Sequence, residues 1–226
     1  QTYKPTIEGD IPIVRHEGRP VTSRFDHSPW PTWTYDLGSG RTIEHSIMVP
    51  RGLPLVVLSW RLVTPDPGPA AKVIVRPFLS GRDYHSLHHE NPEFDFKARR
   101  EGGPGRVVFQ PYASEPSVVA VSNAGFEEAP YWYREFLYTE DRERGLDCVE
   151  DLGAPGTFTF ELGAGEAILV FGTRDATEGW EGRSLEARTR AIRSSEATRR
   201  SQAASPLALA ATSYVVDRGT GKTIMA

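Results

Sequence analysis

A chain of 226 residues can bury one good-sized core, or one domain with an appendage. Its 38% of hydrophobic and 25% of charged residues are ordinary for a soluble globular protein, and a net charge of −4 does not indicate a nucleic-acid-binding surface or a polybasic membrane anchor. The longest apolar run, from Leu53 to Trp60, is too short to span a bilayer. Cys148 is the single cysteine, so no internal disulfide can form, which fits a reducing cytoplasmic setting.

Alternating hydrophobic residues predict the first strands. Residues 1–30 are rich in proline, glycine and charge, and IPIVR is the only strand-like stretch among them. In residues 55–63 (LVVLSWRLV), every second side chain from Val56 to Leu62 falls on one face, as in a half-buried strand. KVIVRPFL, at residues 72–79, is a β-branched run that predicts a further strand.

A histidine-rich stretch, RDYHSLHHENPEFD, follows at residues 82–95. On a helix, His85 and His89 would share a face at a metal-ligand spacing. The following Asn-Pro would break such a helix, and no HExxH pattern is present, so we favour a polar loop over a metal site. Arg82 and Asp83 suit a turn in that loop.

Aromatic and charged residues crowd into residues 131–151, after two more predicted strands at 106–112 and 117–123. Glycoside hydrolysis needs two carboxylates about 5–10 Å apart and aromatic rings that stack on sugars, and this segment supplies both types of residue. Its arginines are equally numerous partners for the carboxylates. The residues alone therefore favour an ion-paired structured loop, in which Trp132 and Tyr133 anchor the core.

The clearest strand pattern lies at residues 157–173. TFTFEL alternates, Gly-Ala-Gly supplies a turn and AILVF follows as a buried strand, so we expect a hairpin. Residues 179–204 are charged, rich in alanine and free of proline, which predicts a helix. Ser205 and Pro206 suit the N-cap and first position of a second helix. RGTGKT, at residues 218–223, superficially matches a phosphate-binding loop, but valine replaces the leading glycine of that motif, so we favour a glycine-containing turn.

Four stretches together resemble one family. They are RFDHSPWPTWTYDL, VRPFLSGRDYHSLHHENP, NAGFEEAPYWYREFLYTEDRERGLDCVEDLGAPGTFTF and AATSYVVDRGTGKTIMA, at residues 24–37, 75–92, 123–160 and 210–226. These stretches are similar to the N-terminal domain of the bacterial and archaeal type of glycogen debranching enzyme, an amylo-α-1,6-glucosidase. The series WY…E…RGLD…EDL…PG is the most specific part of the resemblance.

The resemblance implies a mainly β fold, a large antiparallel β-sandwich with a short helical C-terminal extension. This is the supersandwich type, like galactose mutarotase and the N-terminal domain of glucoamylase. We expect residues 1–175 to form the sandwich, and 176–226 to form a helical linker and the start of an (α/α)6 catalytic barrel. The family's glycine-rich opening and its Thr-Arg-Arg-Tyr-His-Gly-type motif are absent, so we expect the first strands to be missing from this sequence.

The resemblance also bears on the chemistry. The catalytic carboxylates of such glycoside hydrolases are expected in the barrel, so none of the acids in residues 135–151 is assigned a catalytic role. No metal or cofactor is implied. The implied partners are an α-glucan, such as glycogen, starch or dextrins, and the catalytic barrel of the same polypeptide in the cytoplasm, without nucleic acid or membrane. An exposed sandwich face without its barrel would also favour homodimers.

Two hypotheses remain for the aromatic and charged residues. In the first, a loop of the sandwich packs on the rim of the barrel and helps to shape the substrate cleft, because charged loops are natural interface formers. In the second, the domain is an independent glucan-binding module, in which Tyr131, Trp132 and Tyr138 stack on sugar rings. The residues of the first hypothesis are Trp132, Tyr133, Arg144, Glu150, Arg82, Asp83 and His85.

An alternative of another class is a sandwich enzyme of the aldose-mutarotase type. Such an enzyme interconverts sugar anomers by general acid–base transfer between a histidine and a glutamate. Here the histidine would be His85 or His89, and the carboxylate would be Glu90 or Glu150.

Overall fold

The computed structural model describes residues 3–8, 11–16, 21–38, 40–63, 71–83, 85–163, 165–180 and 185–225, with side chains from residue 22 onward. The chain is mainly β, as predicted. The strands are β1 (Tyr3–Glu8), β2 (Ile11–His16), β3 (Val21–Asp26), β4 (Thr32–Asp36), β5 (Thr42–Met48), β6 (Leu55–Leu62), β7 (Ala71–Val75), β8 (Ala98–Arg100), β9 (Arg106–Phe109), β10 (Val118–Ser122), β11 (Gly125–Leu137), β12 (Val149–Leu162), β13 (Ala167–Gly172), β14 (Val215–Arg218) and β15 (Gly221–Ile224). The helices are α1 (Thr139–Glu143), α2 (Leu185–Ser201) and α3 (Pro206–Ala211).

Two antiparallel sheets form the body of the protein. The larger has the strand order β3-β4-β5-β6-β13-β10-β9-β8, and the smaller has the order β11-β12-β7. Their facing sides share one hydrophobic core, in which Phe109 and Leu169 of the large sheet meet Phe126, Phe158 and Phe160 of the small one. This arrangement confirms the predicted sandwich. The strands β1 and β2 pair with each other, as do β14 and β15.

A second core lies on the other face of the large sheet. Val57, Val108 and Val170 project from β6, β9 and β13, and the ring of Trp180 and the side chain of Ile192 on α2 pack near them. The central strands are therefore buried on both faces, which explains their nearly continuous apolar runs. The prediction for residues 55–63 was half right, because the alternation showed one apolar face and α2 covers the other.

The predicted hairpin at residues 157–173 is wrong. Both strands exist, but β12 pairs with β11 and β7, whereas β13 pairs with β10 and β6. The chain therefore passes from one sheet to the other between β12 and β13. Alternation shows which side of a strand is apolar, but not which neighbour the strand chooses. Here Phe158 and Leu169 enter the same core from opposite sheets.

The two C-terminal helices and the glycine-containing turn are confirmed. The long helix is α2, and α3 begins at Pro206 after Ser205, whose Oγ accepts a hydrogen bond of 3.1 Å from the N–H of Ala208. The RGTGKT stretch forms the turn between β14 and β15, with Gly219 at a φ of 59°. None of the helices in the described ranges is long and apolar enough to cross a membrane.

A buried carboxylate holds the last turn of α2 against the sheet. Glu196, with a side chain 4% exposed, accepts hydrogen bonds from Arg199 at 2.7 and 2.9 Å, from Arg200 Nε at 2.6 Å and from the N–H of Arg51 at 3.3 Å. Arg200 also donates to the carbonyl of Pro29 at 2.5 Å. The hydrogen bonds from Arg199, and then those from Arg200 and Arg51, lower the pKa of Glu196 to about 2, against the opposing effect of burial.

Acidification is therefore expected to loosen this helix. Because the folded-state pKa lies below the unfolded value, the stabilisation is fully present above about pH 4.5 and is lost as the pH falls toward about 2. We expect the loss from this carboxylate to be about 2 kcal/mol. Urea unfolding at a series of acidic pH values, compared with Glu196→Gln, measures it: the wild type should lose its stability advantage over the variant on acidification. Parallel pH profiles would contradict the prediction.

Candidate functional site

The crowded segment at residues 131–151 is not the predicted loop. It consists of the end of β11, the single turn of α1 and the start of β12, and the two strands form a long antiparallel ribbon. Trp132 pairs with Gly153 across the ribbon, and Tyr133 pairs with Leu152. Trp132, Tyr133 and Glu150 thus lie on strands, so their positions are set by backbone pairing. Arg144 follows α1 and is exposed.

Glu150 is the buried charge of the site. Its side chain is 2% exposed, and its Oε1 forms an ion pair with Arg82 Nε at 2.5 Å. The same oxygen accepts a hydrogen bond from the N–H of His88 at 3.1 Å. Its Oε2 accepts from the hydroxyl of Tyr138 at 2.5 Å. Burial, followed by the bond to this carboxylate, raises the pKa of Tyr138 to about 12, so the phenol remains a donor. This cluster ties residues 82–88 to the ribbon.

His88 forms a second buried connection to the ribbon. Its Nδ1 lies 2.7 Å from the carbonyl of Asp151, which can only accept, so Nδ1 carries the proton. In the neutral ring, Nε2 then accepts from the hydroxyl of Tyr112 at 2.6 Å, and Asn91 donates to that same oxygen at 2.7 Å. Sequence reasoning selected His85 and His89 for their spacing and missed His88, since nothing in the local pattern distinguishes a buried histidine from its neighbours.

The carboxylate of Asp151 supports an unusual backbone conformation in the ribbon. Glu135 has a φ of 61°, in the left-handed region that residues other than glycine seldom adopt. It lies at one of two register shifts between β11 and β12. Asp151 accepts hydrogen bonds from the N–H of Glu135 at 2.9 Å and from that of Glu90 at 3.1 Å. The bulge and the loop after β7 are therefore fixed by one side chain that sequence reasoning did not single out.

Trp132 anchors the ribbon to that loop. Its half-buried ring packs against Phe94, Phe96 and His88, with centroid distances of 4.8, 5.4 and 5.5 Å. A Cβ on Gly153, its cross-strand partner, would lie 2.3 Å from the ring of Phe94. Glycine is therefore needed at that position for the aromatic cluster to close on the strand.

On the opposite side of the same strand, two tyrosine rings form a surface together with the guanidinium of an arginine that follows β7. We call this surface the tyrosine strip (Tyr131, Tyr133 and Arg76). Tyr131 is 59% exposed, and its ring centroid lies 5.3 Å from that of Tyr133. The ring of Tyr133 packs edge-on against Phe78. The guanidinium of Arg76 lies 5.0 Å from the centroid of Tyr133 and also donates a hydrogen bond to its hydroxyl.

The remaining predicted residues are exposed. Asp83 accepts hydrogen bonds from the N–H groups of His85 and Ser86 at 2.7 and 3.1 Å, so it fixes a turn, as expected. The N–H of His85, beside Asp83, most lowers the pKa of that carboxyl. Among the residues that the structure describes, no three His, Cys, Asp or Glu side chains are grouped to hold a metal ion.

Fold and site together define an antiparallel β-sandwich domain whose surface ribbon is fixed by a buried ion pair and carries an aromatic strip. The family model described as glycogen debranching enzyme N terminal matches residues 11–169, more than half of the chain. The chain belongs to this family, which confirms the resemblance seen in its sequence motifs. No curated protein matches the chain.

Proposed function

We propose that this chain is the non-catalytic N-terminal domain of a glycogen- or starch-debranching glucosidase. In the intact enzyme, an (α/α)6 barrel in the same polypeptide hydrolyses α-1,6-glucosidic bonds with its own two carboxylates. Residues 1–175 form the supporting sandwich, and residues 176–226 lead into the barrel. We also propose that the enzyme works in the cytoplasm. Family membership and the β-sandwich support this proposal.

The tyrosine strip is the observation that carries the proposed role. Tyrosine and arginine are typical anchors of protein interfaces, because they contribute a large apolar area together with hydrogen-bonding groups. Here the two tyrosines lie on β11, which pairs with β12, and the ion pair of Arg82 and Glu150 ties β12 to the loop after β7. The strip is therefore held in place before any partner binds. We propose that the strip and the neighbouring Arg144 pack on the barrel rim and form one wall of the glucan cleft.

We propose a positioning role for the other predicted residues. Trp132, Arg82, Glu150 and Asp83 hold the ribbon and its loop in place. Of the three aromatic residues predicted for a stand-alone glucan-binding module, Tyr131 is exposed, whereas Trp132 already packs against Phe94 and Phe96. For the mutarotase-type alternative, Glu150 would have to reach a sugar, yet both of its oxygens are bonded and its side chain is buried.

Activity measurements on two forms of the protein test the proposal. The 226-residue chain alone should release no glucose from a branched dextrin, whereas the intact polypeptide should do so. In the intact polypeptide, Tyr131→Ala should lower kcat/KM by roughly tenfold, because an interface anchor is removed. Phe25→Ala, which removes another half-exposed aromatic ring on β3, is the matched control and should leave kcat/KM unchanged.

Hydrolysis by the chain alone would overturn the proposal, and so would a Tyr131→Ala enzyme with wild-type kcat/KM. The two contacts proposed for the strip are separable. If Tyr131 touches the glucan, KM rises and the thermal unfolding of the enzyme is unchanged. If it touches the barrel, the unfolding temperature of the intact polypeptide also falls.

A further inference from the structure

A polar cavity lies on the face of the large sheet opposite the ribbon. It has a volume of about 350 Å³ and lies between α2 and the strands β4, β5 and β6. Binding sites for small molecules typically have volumes of about 300–1,000 Å³, so the cavity is large enough for one. It belongs neither to the tyrosine strip nor to the buried network around Glu150.

Hydroxyl groups line the floor of this cavity. Thr32, Ser46 and Ser59 are directly opposite one another on β4, β5 and β6. The oxygens of Ser46 and Ser59 are 2.8 Å apart, and Arg193 of α2 donates to Ser59 Oγ at 2.8 Å. Further along β5 and β6, the same face carries Met48 and Val57 of the second core. This face of the large sheet is therefore apolar where the second core covers it and carries hydroxyl groups where it lines the cavity.

The charged groups of the cavity cancel in pairs. Arg61 lies 2.6 Å from Glu44 across neighbouring strands, and Arg193 lies 2.7 Å from Glu166. Two carboxylates and two guanidiniums leave no net formal charge. An anion would be repelled by the two carboxylates, and a cation would be repelled by the two guanidinium groups. A neutral ligand that donates and accepts hydrogen bonds can donate to the carboxylates and accept from the guanidinium groups.

Trp30 supplies an apolar wall. Its indole packs against the second hydrophobic core and faces the cavity from one side. A planar ring beside hydroxyl, carboxylate and guanidinium groups matches a pyranose, which has an apolar face of C–H groups and an equatorial rim of hydroxyls. We propose that this cavity binds one neutral sugar unit of an α-glucan chain. The choice of an α-glucan rests on the proposed function, whereas the sugar class rests on the cavity itself.

Titration of the 226-residue chain with maltotriose, followed by NMR shifts of the tryptophan indole N–H groups, tests the proposal. We expect saturable binding at millimolar concentrations, with the largest shift at Trp30. Trp30→Ala should weaken binding roughly tenfold through loss of the stacking surface. Because that variant removes a ring from the second core, Glu44→Gln is the second variant. It keeps the shape of the side chain and should weaken binding severalfold with unchanged unfolding.

Two controls locate the site. Glu101→Gln removes one partner of an exposed ion pair with Arg174 and should leave maltotriose binding unchanged. Glu161→Gln, which removes one partner of the exposed ion pair with Lys72 on the small sheet, should also leave it unchanged. Tyr131→Ala reports any binding at the tyrosine strip. Loss of binding in Tyr131→Ala but not in Glu44→Gln would overturn the cavity proposal and leave the proposed function intact. Absence of binding, or displacement of maltotriose by inorganic phosphate, would overturn it as well. An intact polypeptide without debranching activity would contradict the proposed function alone.

Discussion

Replacement of Arg82 by alanine should destabilise the domain by about 3–5 kcal/mol, because it leaves a buried carboxylate without its counter-charge. Glu150 is 2% exposed, and its remaining partners, the N–H of His88 and the hydroxyl of Tyr138, are neutral. Urea unfolding at neutral pH, monitored by circular dichroism, measures the change in the free energy of unfolding.

Two further variants separate the cost of an unpaired buried charge from the cost of losing an ion pair. Arg24→Ala breaks the exposed pair of Arg24 with Asp26 and should cost less than about 1 kcal/mol. Adding Glu150→Gln to Arg82→Ala should recover part of the lost stability, because a neutral amide is less costly to bury than an unpaired charge. A loss for Arg82→Ala as small as that for Arg24→Ala would mean that Glu150 is not held in a dry site.

Phe158→Ala should have an effect of similar size, about 3–5 kcal/mol, by leaving a cavity between the two sheets. The side chain of Phe158 is 0% exposed, and its ring lies 4.7 Å from that of Phe126 and 6.3 Å from that of Phe171 of the large sheet. It therefore contacts residues of both layers. The change in the midpoint of urea unfolding measures the effect.

The matched control for this core substitution is Phe25→Ala. Phe25 is 51% exposed on β3, so its removal leaves no closed cavity and should cost less than about 1 kcal/mol. Equal losses for the two variants would contradict the assignment of Phe158 to the shared core of the sandwich.

Our proposals assign a different binding role to each side of the large sheet. One face meets the small sheet, whose ribbon presents the tyrosine strip to the barrel and its glucan. The other face meets α2, and the cavity beside this helix is proposed to hold a sugar unit of the same glucan molecule. A domain with both surfaces would hold a branched substrate at two points, which raises its effective concentration at the catalytic site.

Local features of this protein were readable from sequence alone. The alternation in residues 55–63 and 157–162 located β6 and part of β12, because side chains on a strand point to opposite faces in turn. Ser205 and Pro206 marked the start of α3, since a cap depends on atoms only three residues away. The family motifs identified the domain as a whole.

Only the tertiary structure showed the features that depend on residues far apart in the sequence. The strands β12 and β13 belong to opposite sheets rather than to one hairpin, because β12 pairs with β11 and β7. Local alternation does not encode this choice of partner. Nothing in the sequence distinguishes Glu150 and His88 from the neighbouring acids and histidines. Glu150 is identified by its contacts with Arg82 and Tyr138, and His88 by its hydrogen bond with Tyr112, and all of these form only in the folded chain. The cavity beside Trp30 likewise joins residues from four strand regions and a helix, so it exists only once long-range pairing has brought them together.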